Sequence, residues 1–457
     1  MNVIVCGAGQ VGFSIARYLS IEGSDVTVID RAPELIGRVN EALDVQAMVG
    51  NASEPAILAA ANADEADMII AVTYADEVNM VACQVAHSLF NVPTKIARIR
   101  QQSFLDPVWA DLFSRDHMPI DVIISPEVEV AKAIDRRLAV PGAFDMIPLA
   151  EDNVRVIGVR CSEKCPIVNT PLRQLTELFP DLNVVVVGIS RDGDVRIPTS
   201  RDQMLPGDEV YFVSETEHVN RVMEIFGYEE IEASRLVIVG GGNVGSYLAK
   251  TIEERVGVTA KIIEMDRERA RKIAEIVPET TVLQGDIFDQ EILAESNIAS
   301  ADTIVAVTDD DETNVLGSLL AKQIGVKQAI ALVKRDSYAS LVTKLGVDIL
   351  VNPRSIIVSQ ILRHVRQGRI RSVYSLWEGF GEIIEAEVME TSPLVGAMLG
   401  DKKLPRGVII GAIVRDHRVL IPRADTDIRT GDRVILLAAT GTIREVEKLF
   451  AVRLDFM

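Results

Sequence analysis

The stretch NVIVCGAGQVGFSIARYLS, residues 2–20, joins an apolar β-branched run to a helical pattern through Gly7, Gly9 and Gly12. A Gly-x-Gly-x-x-Gly spacing between strand and helix is the phosphate-binding turn of a dinucleotide fold. Gly7 permits the tight exit from the strand, Gly9 removes a Cβ where a pyrophosphate approaches, and Gly12 lets the helix pack against the sheet. The phosphates then face the free N–H groups at the helix start. Asp30 ends a second apolar run, 23 residues after Gly7. A carboxylate there accepts ribose hydroxyls and disfavours a 2′-phosphate, so NAD or an adenine nucleotide is expected over NADP.

The same text returns further along the chain. GAGQVG at 7–12 recurs as GGGNVG at 240–245, and VTVIDR recurs as AKIIEM, placing Glu264 opposite Asp30. VGNASEPAIL recurs as LQGDIFDQEIL, placing Asp286 opposite Asn51, which adds a negative charge near the adenosine half. ADMIIAVTYADEVN at 66–79 recurs as ADTIVAVTDDDETN at a constant offset of 235, keeping Asp67, Thr73, Asp76, Glu77 and Asn79. The segments between also repeat: GISRDGDVRIP…GDEVYFV at 188–213 matches GAIVRDHRVLIP…GDRVILL at 411–437, sharing Arg191/Arg415, Pro198/Pro422 and Asp208/Asp432. The order is therefore A, B, A′, B′.

Each A unit alternates short β-branched runs with helical stretches, the pattern of a doubly wound parallel sheet. In the first copy strands are expected near 2–6, 25–30, 45–49, 67–72, 95–99 and 121–124, with helices between them. Helices starting after Pro126 and Pro353 have nothing left to cover in their own sheets, and read as crossover or dimerising helices. Each B unit is shorter and strand-rich, with a turn at Asp192-Gly193 and a closing helix. The expected domains are 1–140, 141–228, 233–366 and 367–453, two α/β Rossmann domains each followed by a small α+β domain.

Composition narrows the class. A chain of 457 residues predicts about three domains, one more or fewer. It is 48% hydrophobic yet only 5% aromatic, as buried parallel sheets read, and no uncharged apolar run reaches membrane-spanning length. No leader pattern precedes the first strand, so a cytoplasmic protein without direct membrane insertion is expected. A net charge of −20 argues against nucleic acid as a partner. Cys6, Cys83, Cys161 and Cys165 read as ordinary thiols, and no metal-ligand cluster is evident.

VTYADEVN and VTDDDETN fall at the carboxyl end of the fourth strand, where ligands of open sheets bind. Thr73 and Thr308, with the residue after each, line a cofactor on one reading. On the other, Asp76, Glu77 and their partners cap and charge the next helix. Arg17 and Lys250 recur five residues after the third glycine, on an exposed helix face or against a phosphate. A dehydrogenase also needs an acid or base beside its hydride acceptor. None of His87, His117, His218, His364 and His417 occupies equivalent positions in both copies, and His417 replaces Gly193 in a turn. No catalytic residue is assigned and an enzyme is not expected; a soluble NAD-dependent oxidoreductase is the alternative.

The tandem order, with GAGQVG, Asp30, VGNAS, AVTYADEVN, Arg98 and the IP…GD signature of both B units, resembles the TrkA family, peripheral regulatory subunits of bacterial Trk potassium uptake systems. The resemblance covers essentially the whole chain. It implies RCK-N Rossmann domains and RCK-C domains, a homotetrameric ring, and a membrane-embedded potassium-translocating partner on the cytosolic face of the inner membrane. It implies NAD(H) and ATP or ADP as ligands. By position, Gly7, Ala8, Gly9, Gln10, Val11 and Gly12 would cradle phosphates, Asp30 would hold a ribose, and Asn51, Ala52, Thr73, Tyr74 and Arg98 would surround the rest. In copy two the matches are Gly240, Gly241, Gly242, Asn243, Val244, Gly245, Glu264, Asp286, Thr308 and Asp309. Leu332 replaces Arg98 there.

Overall fold

The first repeat alternates as its patterning predicts: β1 (Asn2–Cys6), α1 (Gln10–Ile21), β2 (Asp25–Asp30), α2 (Pro33–Ala42), β3 (Gln46–Val49), α3 (Pro55–Ala60), β4 (Met68–Ala71), α4 (Asp76–Phe90), β5 (Thr94–Arg98), β6 (Val122–Ile124) and α5 (Pro126–Leu138). The six strands lie within one residue of the expected bounds and form one parallel sheet in the order β3-β2-β1-β4-β5-β6. Order reverses between β1 and β4, so a crevice opens at their carboxyl ends. Ile4, Ile69 and Ala97 pack in the core on one face, and the alternating Val5, Ile70 and Ile96 are buried too, which is why these strands read as unbroken apolar runs. The computed structural model describes residues 1–179, 183–228, 234–365, 370–377, 380–396, 398–402 and 404–450. The expected domain limits at 233, 366, 367 and 453 lie outside the described residues.

β7 (Ala143–Leu149), β8 (Val154–Arg160), α6 (Leu172–Leu178), β9 (Val184–Arg191), β10 (Asp194–Arg196), β11 (Glu209–Glu215) and α7 (Val219–Ile225) follow. Their five strands form a sheet of order β10-β9-β11-β8-β7 with antiparallel neighbours. The β9–β10 turn places Asp192 and Gly193 at φ 52° and 86°, and the matching turn holds Asp416 and His417 at 48° and 62°. Two central residues at positive φ give the twist a tight hairpin needs. His417 is exposed, as its turn position predicts.

The second repeat gives β12 (Arg235–Val239), α8 (Asn243–Glu253), β13 (Thr259–Glu264), α9 (Arg267–Ile276), β14 (Thr281–Gln284), α10 (Gln290–Glu295), β15 (Thr303–Ala306), α11 (Asp311–Ile324), β16 (Gln328–Leu332), α12 (Asp336–Leu345), β17 (Ile349–Val351) and α13 (Pro353–Val365). Its sheet order, β14-β13-β12-β15-β16-β17, reproduces the first. The last segment contains β18 (Ile370–Leu376), β19 (Gly381–Glu387), β20 (Val408–Arg415), β21 (Arg418–Leu420), β22 (Arg433–Ala439) and α14 (Ile443–Phe450), with order β18-β19-β22-β20-β21. One expectation changes. Copy two joins its fifth and sixth strands by α12, whereas copy one uses short 3₁₀ stretches, Gln102–Leu105 and Pro107–Phe113. Pro107 has no N–H to donate and restricts the residue before it, so the segment restarts there instead of forming one α-helix.

The repeated Arg and Gly-Asp of the B units meet. Arg191 donates through Nε and Nη2 to both oxygens of Asp208 at 2.8 Å each, and Arg415 does the same to Asp432. Each carboxylate is 1% exposed and also accepts one backbone N–H, from Leu205 or Arg429. Burial opposes ionisation of Asp208, but the guanidinium and that N–H outweigh it and hold the carboxyl below its usual range. The signature is thus a bidentate brace on a strand–turn junction.

The chain forms two compact units: Met1–Val130 with Pro353–His364, and Ala131–Asn352 with the chain from Val365 onward. Residues Pro353–His364 of α13 thus group with the first repeat, while α5 is divided, its residues from Ala131 onward grouping with the second unit. In the first unit, Gln360 of α13 donates to Glu129 at 2.8 Å, and α13 buries Ile357, Val358, Ile361 and Leu362. In the second, Arg255 pairs with Asp135 of α5 at 2.8 Å. The second unit also merges the two antiparallel sheets into one core. Val156, Val187 and Val213 pack with Ile383, Ala412 and Leu437, and the Trp377 ring lies against Gly188, where a Cβ would come within 2.6 Å of it.

Candidate functional site

Each crevice is built by its glycines. Gly7 has φ 111°, and a Cβ there would sit 3.0 Å from the Thr73 nitrogen. At Gly12 a Cβ would lie 1.8 Å from the Gly7 carbonyl oxygen, so only glycine lets α1 pack this close to the turn. At Gly9 a Cβ would meet no atom within 4 Å. That position faces open space at a helix N-terminus with no side-chain cap, so the N–H groups of the first turn have no side chain occupying them. Copy two repeats the arrangement: Gly240 at φ 100°, Gly245 with a Cβ position 2.0 Å from the Gly240 oxygen, and open space at Gly242.

The acids ending β2 and β13 grip the glycine loops. Asp30 accepts the Ala8 N–H at 2.6 Å through Oδ2 and the Ala32 N–H at 2.9 Å through Oδ1. A carboxylate has about four lone-pair directions, so capacity for a ribose remains. Glu264, 4% exposed, accepts the Gly241 N–H at 2.7 Å and the Asp266 N–H at 2.8 Å, and Arg269 lies 3.5 Å from its Oε1. The copy-two carboxylate is thus more deeply held and carries a cation that copy one lacks at that position, where Leu35 stands.

Strand order sorts the remaining residues. Asp30 and Asn51 stand on the β2–β3 side of the switch point, Thr73, Tyr74 and Arg98 on the β4–β5 side. Asn51 accepts from the Ser53 N–H at 3.2 Å, and Asp286 from the Phe288 N–H at 3.0 Å, so both side chains tighten their own loops. Ala52 is 3% exposed and belongs to the core, so it offers a crevice no side-chain surface. Gln10 and Asn243 are exposed at the helix starts; Val11 and Val244 are half-buried. Arg17 and Lys250 are exposed on α1 and α8.

The Thr-to-Asn segment departs from the expected capping: Asp76 and Glu77 place charge in the first turn of α4 without a side-chain cap. Asp76 caps no N-terminus: its Oδ2 accepts the Arg100 and Gln101 N–H groups at 2.9 and 2.8 Å, tying α4 to the chain after β5. In copy two Asp310 is the cap, bonded to the Thr313 N–H, while Asp311 accepts from Lys334 and Arg335. Asn79 is fully buried. Its Oδ1 accepts from the Thr73 N–H and hydroxyl at 2.8 and 2.7 Å, and its Nδ2 donates to the carbonyls of Thr73 and Arg98. Asn314 repeats the set on Thr308 and Leu332. These residues shape the crevice wall, and their recurrence at offset 235 was the signal for them.

Arg98 donates from Nη2 to the Thr73 carbonyl at 2.6 Å, and its buried Nε has no hydrogen-bond partner. Burial, and after it the neighbouring Arg100, lower its pKa. Leu332 is buried at the matching position. Elsewhere, Glu215, Glu217 and His218 bring ligand atoms within 4.8 Å of one another, a grouping not anticipated from sequence. The four cysteines are reduced and buried. Hydrogen bonding from Cys161 lowers the Cys165 thiol to about 7, while Cys161 itself is raised. Among the described residues no helix is long and apolar enough to cross a membrane.

The TrkA-N domain family matches residues 3–126 and 236–353, and the TrkA-C domain family matches 150–227 and 383–451. The Trk system potassium uptake protein TrkA of Azorhizobium caulinodans is 51% identical over 457 residues, covering 100% of both chains. That of Haemophilus influenzae is 37% identical over 454 residues, 98% of each chain. Among solved structures, the GsuK RCK domain superposes with a TM-score of 0.60 at 17% identity, over 99% of this chain and 95% of that one. The GsuK channel bound to NAD gives the same score and identity over 99% and 79%. At this identity the likeness to GsuK is one of fold.

Proposed function

The chain belongs to the TrkA family, and from that premise we propose that it is a non-catalytic, nucleotide-sensing regulatory subunit of a potassium uptake system. Its ligands are NAD(H) and ATP or ADP, and its partner is a membrane-embedded potassium-translocating subunit, docked on the cytosolic face. It acts as a homo-oligomer, expected to be a tetramer. The observation that carries the reading is the open space above Gly9 and Gly242, each at an uncapped helix N-terminus beside an acid that ends the second strand. Free N–H groups at a helix start, with no Cβ in front of them, are a ready site for a phosphate.

In copy one the ligand's effect has a bonded route out of the crevice. Thr73 is held by Arg98 and Asn79, and Arg100 donates to Glu127 of α5 at 3.1 Å. A ligand that binds one setting of this route more tightly than another shifts their populations by its difference in affinity.

Thermal melting of the purified full-length chain with NAD⁺, NADH, ATP and ADP, together with native mass, tests the reading. A ring-sized oligomer stabilised by these ligands without turnover is expected. Reduction of NAD⁺ by an alcohol substrate would overturn it in favour of an oxidoreductase.

A further inference from the structure

Across the mouth of each crevice, the third residue beyond the fourth strand meets the second residue beyond the fifth. Parallel register makes them neighbours: Ala71 pairs with Ala97 and Ala306 with Ala331, and both residues lie three positions beyond these partners. The chemistry of the meeting differs between copies. In copy one it joins Tyr74 and Arg100, with the guanidinium carbon 5.5 Å from the ring centroid. Tyr74 is 80% exposed, while Arg100 is fastened behind it by Glu127. In copy two it joins Asp309 and Lys334, whose Nζ donates to the Asp309 carbonyl at 2.7 Å and lies 3.4 Å from its Oδ1.

This lip stands on the β4–β5 side. With phosphates on the glycine loop and adenosine turned toward Asp30, the second half of a dinucleotide is directed toward Tyr74. A mononucleotide ends at its phosphates and does not need that side.

We propose that this lip pair sets the ligand selectivity of each crevice: the Tyr74 ring backed by Arg100 gives copy one a stacking face for the planar ring on a dinucleotide's second half, whereas the Asp309–Lys334 ion pair gives copy two none. Copy one thereby discriminates a dinucleotide from a nucleoside diphosphate, and copy two does not. The inference rests on the proposed nucleotide-binding reading of the crevices. An exposed ring already positioned by a guanidinium loses little freedom when a second ring stacks on it, and base–aromatic stacking is typically worth about tenfold or more in affinity.

The test uses the full-length chain with one crevice blocked at a time. Gly242→Leu leaves copy one and Gly9→Leu leaves copy two, at positions where a Cβ meets no protein atom within 4 Å. NADH binding is followed by its fluorescence, and ADP binding by calorimetry. In the Gly242→Leu background, Tyr74→Ala should weaken NADH about tenfold and ADP less than about twofold, with Tyr74→Phe retaining NADH affinity. In the Gly9→Leu background, Asp309→Tyr with Lys334→Arg should raise the preference for NADH over ADP. Equal weakening of both ligands by Tyr74→Ala, or unchanged NADH binding, overturns the inference while leaving nucleotide binding intact. Failure of the unmodified chain to bind either ligand overturns the nucleotide-binding reading and the inference with it.

Discussion

The Arg98 guanidinium donates to the Thr73 carbonyl at 2.6 Å, closing the end of β5 onto the end of β4 beside the glycine loop. Copy two has Leu332 in that place and keeps the same backbone brace through Asn314. Copy two therefore holds this brace without a guanidinium, and under the proposed function the Arg98 guanidinium serves the ligand of copy one.

Arg98→Leu should consequently change stability by no more than about 1.5 kcal/mol, because removing a half-satisfied buried charge offsets the lost bond. Nucleotide affinity at copy one should fall about ten- to a hundredfold, the worth of one charge-assisted hydrogen bond. Denaturant unfolding and ADP calorimetry on the same variant separate the two effects.

Asn79→Ala removes a fully buried amide that serves Thr73 and Arg98, leaving two carbonyls and an N–H without these partners. A loss of about 3 kcal/mol is expected, and a similar loss for Asn314→Ala. A large effect in one copy and none in the other would contradict the shared brace.

Gly12→Ala and Gly9→Ala should behave oppositely. The first forces a Cβ to 1.8 Å from the Gly7 oxygen and should prevent normal packing of α1. The second enters open space and should cost under about 1 kcal/mol, as an N-cap change, while weakening nucleotide binding. Melting temperatures and binding titrations of the pair provide the comparison.

Trp377→Ala should cost about 3–5 kcal/mol, since the ring fills the space over Gly188 and meets the Tyr211 ring edge-on at 4.6 Å. The chain has two tryptophans, and Trp109 is exposed. The variant should therefore lose the blue-shifted part of the native emission.

Acid should act partly through Asp302, which accepts from Ser234 and Arg235 at the base of β12. Burial opposes its ionisation, but the bonds from Arg235 and Ser234 outweigh it and bring the carboxyl down to about 2. A depressed pKa contributes stability above the unfolded value, near 4, and loses it as pH falls through about 2. Asp302→Asn should therefore be less stable than the parent above pH ~4, with the difference shrinking toward pH ~2. A gap that stays constant across that range would rule out this linkage.

The paired parallel sheets are legible in the sequence, because strand period, helix period and glycine spacing are local properties and the chain states them twice. The acids Asp30 and Glu264 were placed by the same local logic, as the last residues of their strands. Asp76 was harder to read. A carboxylate in a helix's first turn looks like a cap, and only the proximity of β5 turns it toward the N–H groups of Arg100 and Gln101. Ala52 shows the converse, since sequence position puts it beside a pocket while packing takes it into the core.

What the chain's text determined by itself was therefore its duplicated nucleotide-type fold, since glycines, acids and strand ends that recur in the same order at offsets of 233 to 235 residues admit one architecture for both copies. Tertiary structure alone decided the grouping of α13 with the first repeat, the core shared around Trp377, and the lip that joins Tyr74 to Arg100 in one copy and Asp309 to Lys334 in the other. Those contacts bring together residues about 25 to more than 200 positions apart, and closing such loops leaves no periodic trace in sequence.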